Sequence, residues 1–467
     1  MKFLSLTVAV TFAFTRAFIL ALTVIFVSAC SGGKRTEQVR LMTLDPGHFH
    51  AALVQKSMYP QVDPVVHVFA PAGADLDQHL ARITGFNTRT DQPTAWKTLV
   101  HTGPDFLERL LAERPGNVVV TAGNNQRKTE YIKRCVEAGL NVLADKPMAI
   151  DPAGFALLRE AFASADKNGV LLYDVMTERF EITTQLQREL SRIPALYGTQ
   201  LAGTPEQPAV VKESVHYFLK EVAGKPLMRP AWFFDVKQQG EAVADVGTHL
   251  VDLVQWELFP EVALDWTKDI SVLSARRSQT RLTPEDFKAI TGAGFPDFIT
   301  SQLSEDGSFN VFSNGESVYT LRGIHARISV RWNVRPPAGG KDTHYSIMRG
   351  SRADLIIRQD AGQHFVPSLF VEAAGSTAPA ETETALRAAV ASLAKRFPGL
   401  AVVKADIGWQ VTIPTSYHNG HEAHFAQVTE KYLNFLAAGK LPEWEVPNML
   451  AKYFTTTEAF RLSHATK

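Results

Sequence analysis

Between residues 39 and 165 the sequence alternates short strand-like runs with helical stretches, and no other feature limits the fold as strongly. Residues 39–44, 65–69, 117–121 and 141–144 read as buried strands of four to six residues. Residues 50–58, 106–112, 128–138 and 155–165 carry helical spacing, the third stretch being stopped by Gly139. Strands and helices of this length in strict alternation predict an α/β fold, a doubly wound parallel sheet with right-handed crossovers. In such a sheet a ligand lies beyond the carboxyl ends of the strands. That rule gathers residues 45–50, 124–128 and 145–147 around one crevice.

The three loops carry the chemistry. The first reads Asp45-Pro46-Gly47-His48-Phe49-His50. Gly47 stands at the middle glycine of G-x-G-x-x-G, the position that lets backbone approach a pyrophosphate, while Asp45 and His50 hold the outer two. The acid that would hold a ribose after the second strand is missing, because Phe69 leads into Ala70-Pro71-Ala72-Gly73. The second loop is Asn124-Asn125-Gln126-Arg127-Lys128. Twenty-one positions after Asn125 comes Lys146, in Asp145-Lys146-Pro147.

This arrangement resembles the Gfo/Idh/MocA oxidoreductases, the glucose–fructose oxidoreductase and inositol dehydrogenase type. Their pattern is Thr-Pro-Asn-x-x-His, a helix, Ala-Gly-x-x-Val-Leu and Glu-Lys-Pro. Here Asn124 replaces the Pro, Lys128 the His and Asp145 the Glu, while Ala138-Gly139, Val142-Leu143 and Lys146-Pro147 are kept. The resemblance implies NAD or NADP held by Asp45, Gly47, His48, Phe49, His50, Asn124, Asn125, Lys128, Asp145, Lys146 and Pro147. It also implies that Lys146 reaches both nicotinamide and substrate.

A second motif lies in residues 242–256. Asp245, His249, Asp252 and Trp256 are spaced four, three and four apart, so one helical stripe carries them all, with Leu250, Leu253 and Val254 turned to the core. The segment resembles the family's Asp-x-Gly-x-His-x-x-Asp, which implies that Asp245 and His249 act with Lys146 on a carbinol. The residue types suit that chemistry. A histidine titrating near neutrality can take and return the hydroxyl proton, and a lysine stabilises the alkoxide. Asp245 would bind a substrate hydroxyl or orient His249.

The expected organisation is a signal peptide over residues 1–29, a tether over 30–38, a dinucleotide-binding domain over 39–170 and a substrate-binding α/β domain over 171–467. The last is expected to hold an open, mostly antiparallel sheet. Strands are read at residues 318–321, 327–334, 344–348 and 353–359, and a helix at 425–436 stopped by Gly439. Residues 276–306 and 373–400 read as additions, and 375–383 as the nearest thing to a flexible linker. The resemblance further implies a homo-oligomer formed through the C-terminal sheet.

The first thirty residues describe export. After Lys2 the chain is almost wholly apolar to Val27, and Val27-Ser28-Ala29-Cys30 resembles a bacterial lipobox. Cys30 is therefore expected to carry lipid and tether the chain to a bacterial membrane, at the periplasmic or outer-membrane face. The alternative is an uncleaved spanning segment. Cys135 shares the helical phase of Ile132 and Val136 and reads as a core residue. Lys plus Arg and Asp plus Glu both total 48, which leaves no field to attract nucleic acid. His418, His421, Glu422 and His424 invite a metal, but steps of three rotate around a helix, so none is expected there. His48 and His50 raise the same question. The function expected is NAD(P)-dependent oxidation or reduction of a secondary hydroxyl on a sugar, glycoside or cyclitol, with bound cofactor recycled during glycoside conversion. The other reading is a non-catalytic carbohydrate-binding lipoprotein.

Overall fold

The computed structural model describes residues 38–222 and 225–465. The export signal and the lipidation expected at Cys30 lie outside them. Six parallel strands form the first sheet: β1 (Leu41–Leu44), β2 (Val65–Ala70), β3 (Lys97–Thr102), β4 (Val118–Thr121), β5 (Asn141–Asp145) and β6 (Leu172–Val175). Their order is β3-β2-β1-β4-β5-β6. Strands β1 and β4 are buried along their whole length, as continuous apolar runs in a parallel sheet must be. The strand order reverses between them, so their loops diverge and leave the crevice at that point. Strand β3 escapes a sequence reading because it is a mostly exposed edge with no apolar rhythm.

Helices α1 (His50–Leu53), α2 (Ala74–Thr88), α3 (Phe106–Glu113), α4 (Lys128–Glu137) and α5 (Pro152–Asn168) flank this sheet. The helix expected over residues 50–58 is a single turn. Carbonyls that would continue it are taken by side chains: Trp96 Nε1 donates to Gln55 O at 2.6 Å and Arg89 to Lys56 O at 2.7 Å. Helix α5 starts as the capping rules require, with the Asp151 carboxylate accepting from Gly154 N at 2.7 Å and Pro152 in the first turn.

After α6 (Ile182–Ser191) the chain builds a nine-stranded mixed sheet. Its strands are β7 (Val210–Tyr217), β8 (Ile270–Leu282), β9 (Phe309–Leu321), β10 (Ile324–Asn333), β11 (Thr343–Arg349), β12 (Ala353–Gln359), β13 (Ser368–Ala373), β14 (Ala401–Lys404) and β15 (Trp409–Thr412), in the order β8-β9-β10-β7-β11-β12-β13-β15-β14. Only β7 and β10 run parallel. Two expectations change here. Residues 276–282 are no addition but the second half of edge strand β8, whose outer residues are polar. Residues 375–383 are no linker: Gly375 turns with φ 62° and a helix begins at Pro379.

Helix α7 (Val246–Leu258) packs under the second sheet, and α8 (His421–Ala438) and α9 (Glu445–Ala465) return to the first. Phe425, Val428, Tyr432, Leu433, Met449 and Tyr453 share one apolar core with β1, β4 and β5, while Ala451 and Ala459 belong to the core of the second sheet. A buried ion network ties these parts together. Arg179 donates to both carboxylate oxygens of Asp252 at 2.6 Å, Lys452 bridges Asp174 (2.7 Å) and Asp252 (2.9 Å), and Glu445 takes Arg179 (3.1 Å) and Lys431 (2.9 Å). Three cations meet three anions, so the buried charge is balanced. Among the described residues no helix is long and apolar enough to cross a membrane.

Candidate active site

The crevice floor is made where β1, β4 and β5 end. Asp45 turns the chain with φ 48°, a left-handed conformation that Asp tolerates better than most residues. Gly47 then approaches its neighbours so closely that an added Cβ would lie 2.9 Å from Asp75 Oδ2, 3.2 Å from the Trp232 ring and 3.5 Å from Asn124 N. Gly123, to which sequence reasoning gave no role, is tighter still: its Cβ would meet Asp45 O at 2.3 Å and Gly47 N at 2.7 Å. Its signal was a glycine directly after a buried strand, where two loops must touch.

Two adjoining clefts open over this turn. One lies between residues 46–49, Asp75, Arg82 and residues 227–230; the other lies between Asp45, Pro46 and residues 70–76. Asp75 borders both and accepts from Trp232 Nε1 at 2.8 Å. Burial raises the pKa of Asp75, and that of Asp45 too. The acid missing from the end of β2 thus has a counterpart at the start of α2, beyond the position at which the motif looks for it.

The other loop residues divide. Asn124 and Asn125 do not face open space: Asn124 Nδ2 donates to Gln238 Oε1 at 2.6 Å and Asn125 Nδ2 to Gln239 O at 2.7 Å, stitching the β4 loop to residues 236–239. Lys128 is buried and donates to the carbonyls of Asp145 (3.2 Å) and Pro147 (3.3 Å), bracing the turn that carries Lys146. Burial pushes its ammonium down to about 8. His48, Phe49 and His50 pack ring against ring. His50 Nδ1 lies 3.1 and 3.0 Å from the two Asp145 oxygens, and His48 Nδ1 3.8 Å from one of them.

Lys146, Asp245 and His249 converge from two sheets. The helix expected over the whole motif begins one residue after Asp245, so this carboxylate sits at the head of α7. Lys146 Nζ donates to Asp245 Oδ1 at 2.7 Å. Asp245 therefore pairs with Lys146, and no hydrogen bond joins it to His249. Burial works against both charges, yet their mutual attraction wins: Lys146 ends above the usual lysine pKa and Asp245 below the usual carboxylate one. One helical turn on, His249 is part-buried, and its Nδ1 has no hydrogen-bond partner. Burial, then Lys146 and His421, holds its pKa well below 6.5, so the ring is neutral. Asp252, on the same stripe, points into the ion network instead.

Two residues join from elsewhere. The His421 ring stacks on His50, with centroids 5.0 Å apart. Glu178, in the turn after β6, is pushed up to about 7, by burial first and then by Glu181, with Lys146 pulling the other way. Nothing in the sequence set Glu178 apart from its neighbours.

This fold has known counterparts. Residues 186–464 match the family described as "Putative oxidoreductase C terminal domain". The chain belongs to this oxidoreductase family. A "putative oxidoreductase" from Parabacteroides merdae, solved as a crystal structure, is 56% identical over 92% of this chain and 98% of its own, with a TM-score of 0.90. GenD2 of gentamicin A biosynthesis, solved with NAD, is 17% identical over 92% of this chain and 95% of its own, at a TM-score of 0.55. KijD10, a 3-ketoreductase from Actinomadura kijaniata solved with NADP and TDP-benzene, is 14% identical over 89% and 94%, at 0.52. The last two speak for the fold alone. No curated protein matches the sequence.

Proposed function

We propose that this oxidoreductase uses NAD or NADP to oxidise or reduce a secondary hydroxyl on a sugar, glycoside or cyclitol. The observation that carries the reading is the Lys146–Asp245 pair, 2.7 Å apart, with the free Nδ1 of His249 one helical turn away. The residues fit a dinucleotide: Gly47 keeps the first turn free of a side chain where any would collide, and clefts open beside Asp75. When bound, the nicotinamide supplies the hydride acceptor or donor. Neutral His249 has an open lone pair for the carbinol proton, and Lys146 sets a positive charge beside the developing alkoxide. Asp245 keeps Lys146 charged and pointed. Recycling of a retained cofactor during glycoside conversion is part of the proposal, as is an exported protein acylated on Cys30. Loss of fatty-acid labelling in Cys30→Ser checks the anchor.

The decisive experiment is cofactor binding. Unfolding the purified chain should release about one dinucleotide, or added NAD or NADP should raise its melting temperature. Gly47→Val should abolish binding in a folded protein. If neither cofactor binds the wild type, the oxidoreductase reading fails, and a carbohydrate-binding role remains.

A further inference from the structure

The first loop carries a His-x-His pair whose rings both turn toward the Asp145 carboxylate. The fold gives the pair a third member. Among the described residues, His48, His50 and Asp145 are the only group of metal-ligand side chains whose donor atoms all lie within 4.8 Å of one another. Two of its edges are 3.0 Å from His50 Nδ1 to Asp145 Oδ2 and 3.8 Å from His48 Nδ1 to the same oxygen. Donors about 2.0–2.2 Å from a tetrahedral zinc-like ion stand roughly 3.4 Å apart, so these edges bracket the requirement.

Charge makes the same case independently. Asp145 is 4% exposed, and a carboxylate buried to that degree needs a positive partner. Among the described residues no lysine or arginine comes within ion-pair distance of it. The two lysines near it are engaged elsewhere: Lys128 donates to carbonyl oxygens of the same turn and Lys146 to Asp245. The carboxylate's partners are the two imidazoles, which are donors only in one tautomer and would both be lone-pair ligands in another. His421 stacks on the face of His50 and fixes the ring's plane, as a second layer around a metal site does.

We infer that His48, His50 and Asp145 bind one divalent first-row transition-metal ion at the floor of the crevice. Two imidazoles and one carboxylate are the donor set for zinc, iron or cobalt rather than for calcium or magnesium. Three protein ligands leave a coordination position for water or a substrate oxygen.

The test uses the full chain, stripped with chelator and titrated with Co2+ in the absence of any nicotinamide, with binding read from the visible absorption of the ion. One Co2+ per chain is expected, displaced by Zn2+, with affinity lowered about a hundredfold or more in His50→Ala and in Asp145→Asn. His421→Ala should still bind one ion. Pulsed electron paramagnetic resonance on the wild type loaded with Cu2+ should report two imidazole nitrogens, which covers the case in which a variant fails to fold. Sub-stoichiometric Co2+ in the wild type, affinity unchanged in His50→Ala, or a copper spectrum without imidazole coupling would each overturn the site. Because no dinucleotide is present, failure here leaves the cofactor proposal standing, and failure of cofactor binding leaves the metal untouched.

Discussion

Helix α7 offers two aspartates seven residues apart on one stripe, and they live in different worlds. Asp252 is saturated, with three hydrogen bonds from Arg179 and Lys452 inside the ion network. Asp245 takes a single bond from Lys146 and borders a histidine nitrogen with no partner at all. Protein interiors rarely leave polar atoms unmet. The spare capacity at the head of the helix, beside full satisfaction two turns below, marks the head as the place where something else binds. Same residue type and same helix therefore separate into work and support by hydrogen-bond count.

The largest expected effect tests the support. Arg179→Met leaves Asp252 and Glu445 with fewer partners in a buried site, and should cost about 3–5 kcal/mol of stability, read from urea unfolding. Second comes the working end. Lys146→Ala and His249→Ala should each slow turnover of the first pyranose or glycoside found to react by roughly a hundredfold, about 2.7 kcal/mol of barrier, and His249→Ala should leave the urea midpoint nearly unchanged. The double variant should fall short of the sum, because both residues serve one transition state. Wild-type turnover in His249→Ala would end the distinction drawn above.

A smaller effect concerns the Lys146 charge. Asp245→Asn removes the anion that holds this ammonium above its usual pKa, so the alkaline limb of the rate profile should move to lower pH while KM rises. Smallest is the brace beneath. Lys128 titrates near 8 in the fold against 10.5 unfolded, so the unfolded state binds more protons between those values and stability should rise with pH across that window. Lys128→Met should flatten that rise relative to wild type, as followed by melting temperature from pH 7.5 to 10. An unchanged slope would mean that Lys128 is not buried as described.

How far the sequence showed all this depends on the kind of signal. Strands β1, β2, β4 and β5 were legible because burial on both faces leaves continuous apolar runs. Strands β3 and β8 were not, because an edge in water has no such rhythm. In the site, Lys146, Asp245 and His249 were legible from motif spacing. Asp75 and Glu178 were hidden, because each reaches the crevice from a helix or turn that carries no motif; His421 stood out only within its histidine run, and the folded chain alone brings it to His50. The pairing of Asp245 with Lys146 rather than His249 was equally out of reach: a stripe says which residues share a face, not which partner each chooses across it.

The return of α8 and α9 to the first sheet sets an order of events during synthesis. The strands of that sheet are complete once residue 175 has been made, yet Phe425, Tyr432, Met449 and Tyr453, which close its core, arrive some 250 residues later. Until then the growing chain displays the apolar side those residues will cover, and a partner that shields such surfaces has most to do in that interval. The nucleotide crevice also lacks His421 until nearly the whole polypeptide exists. A ligand that needs the finished crevice can therefore be loaded only afterwards, so the chain's last third acts as a timer on its first.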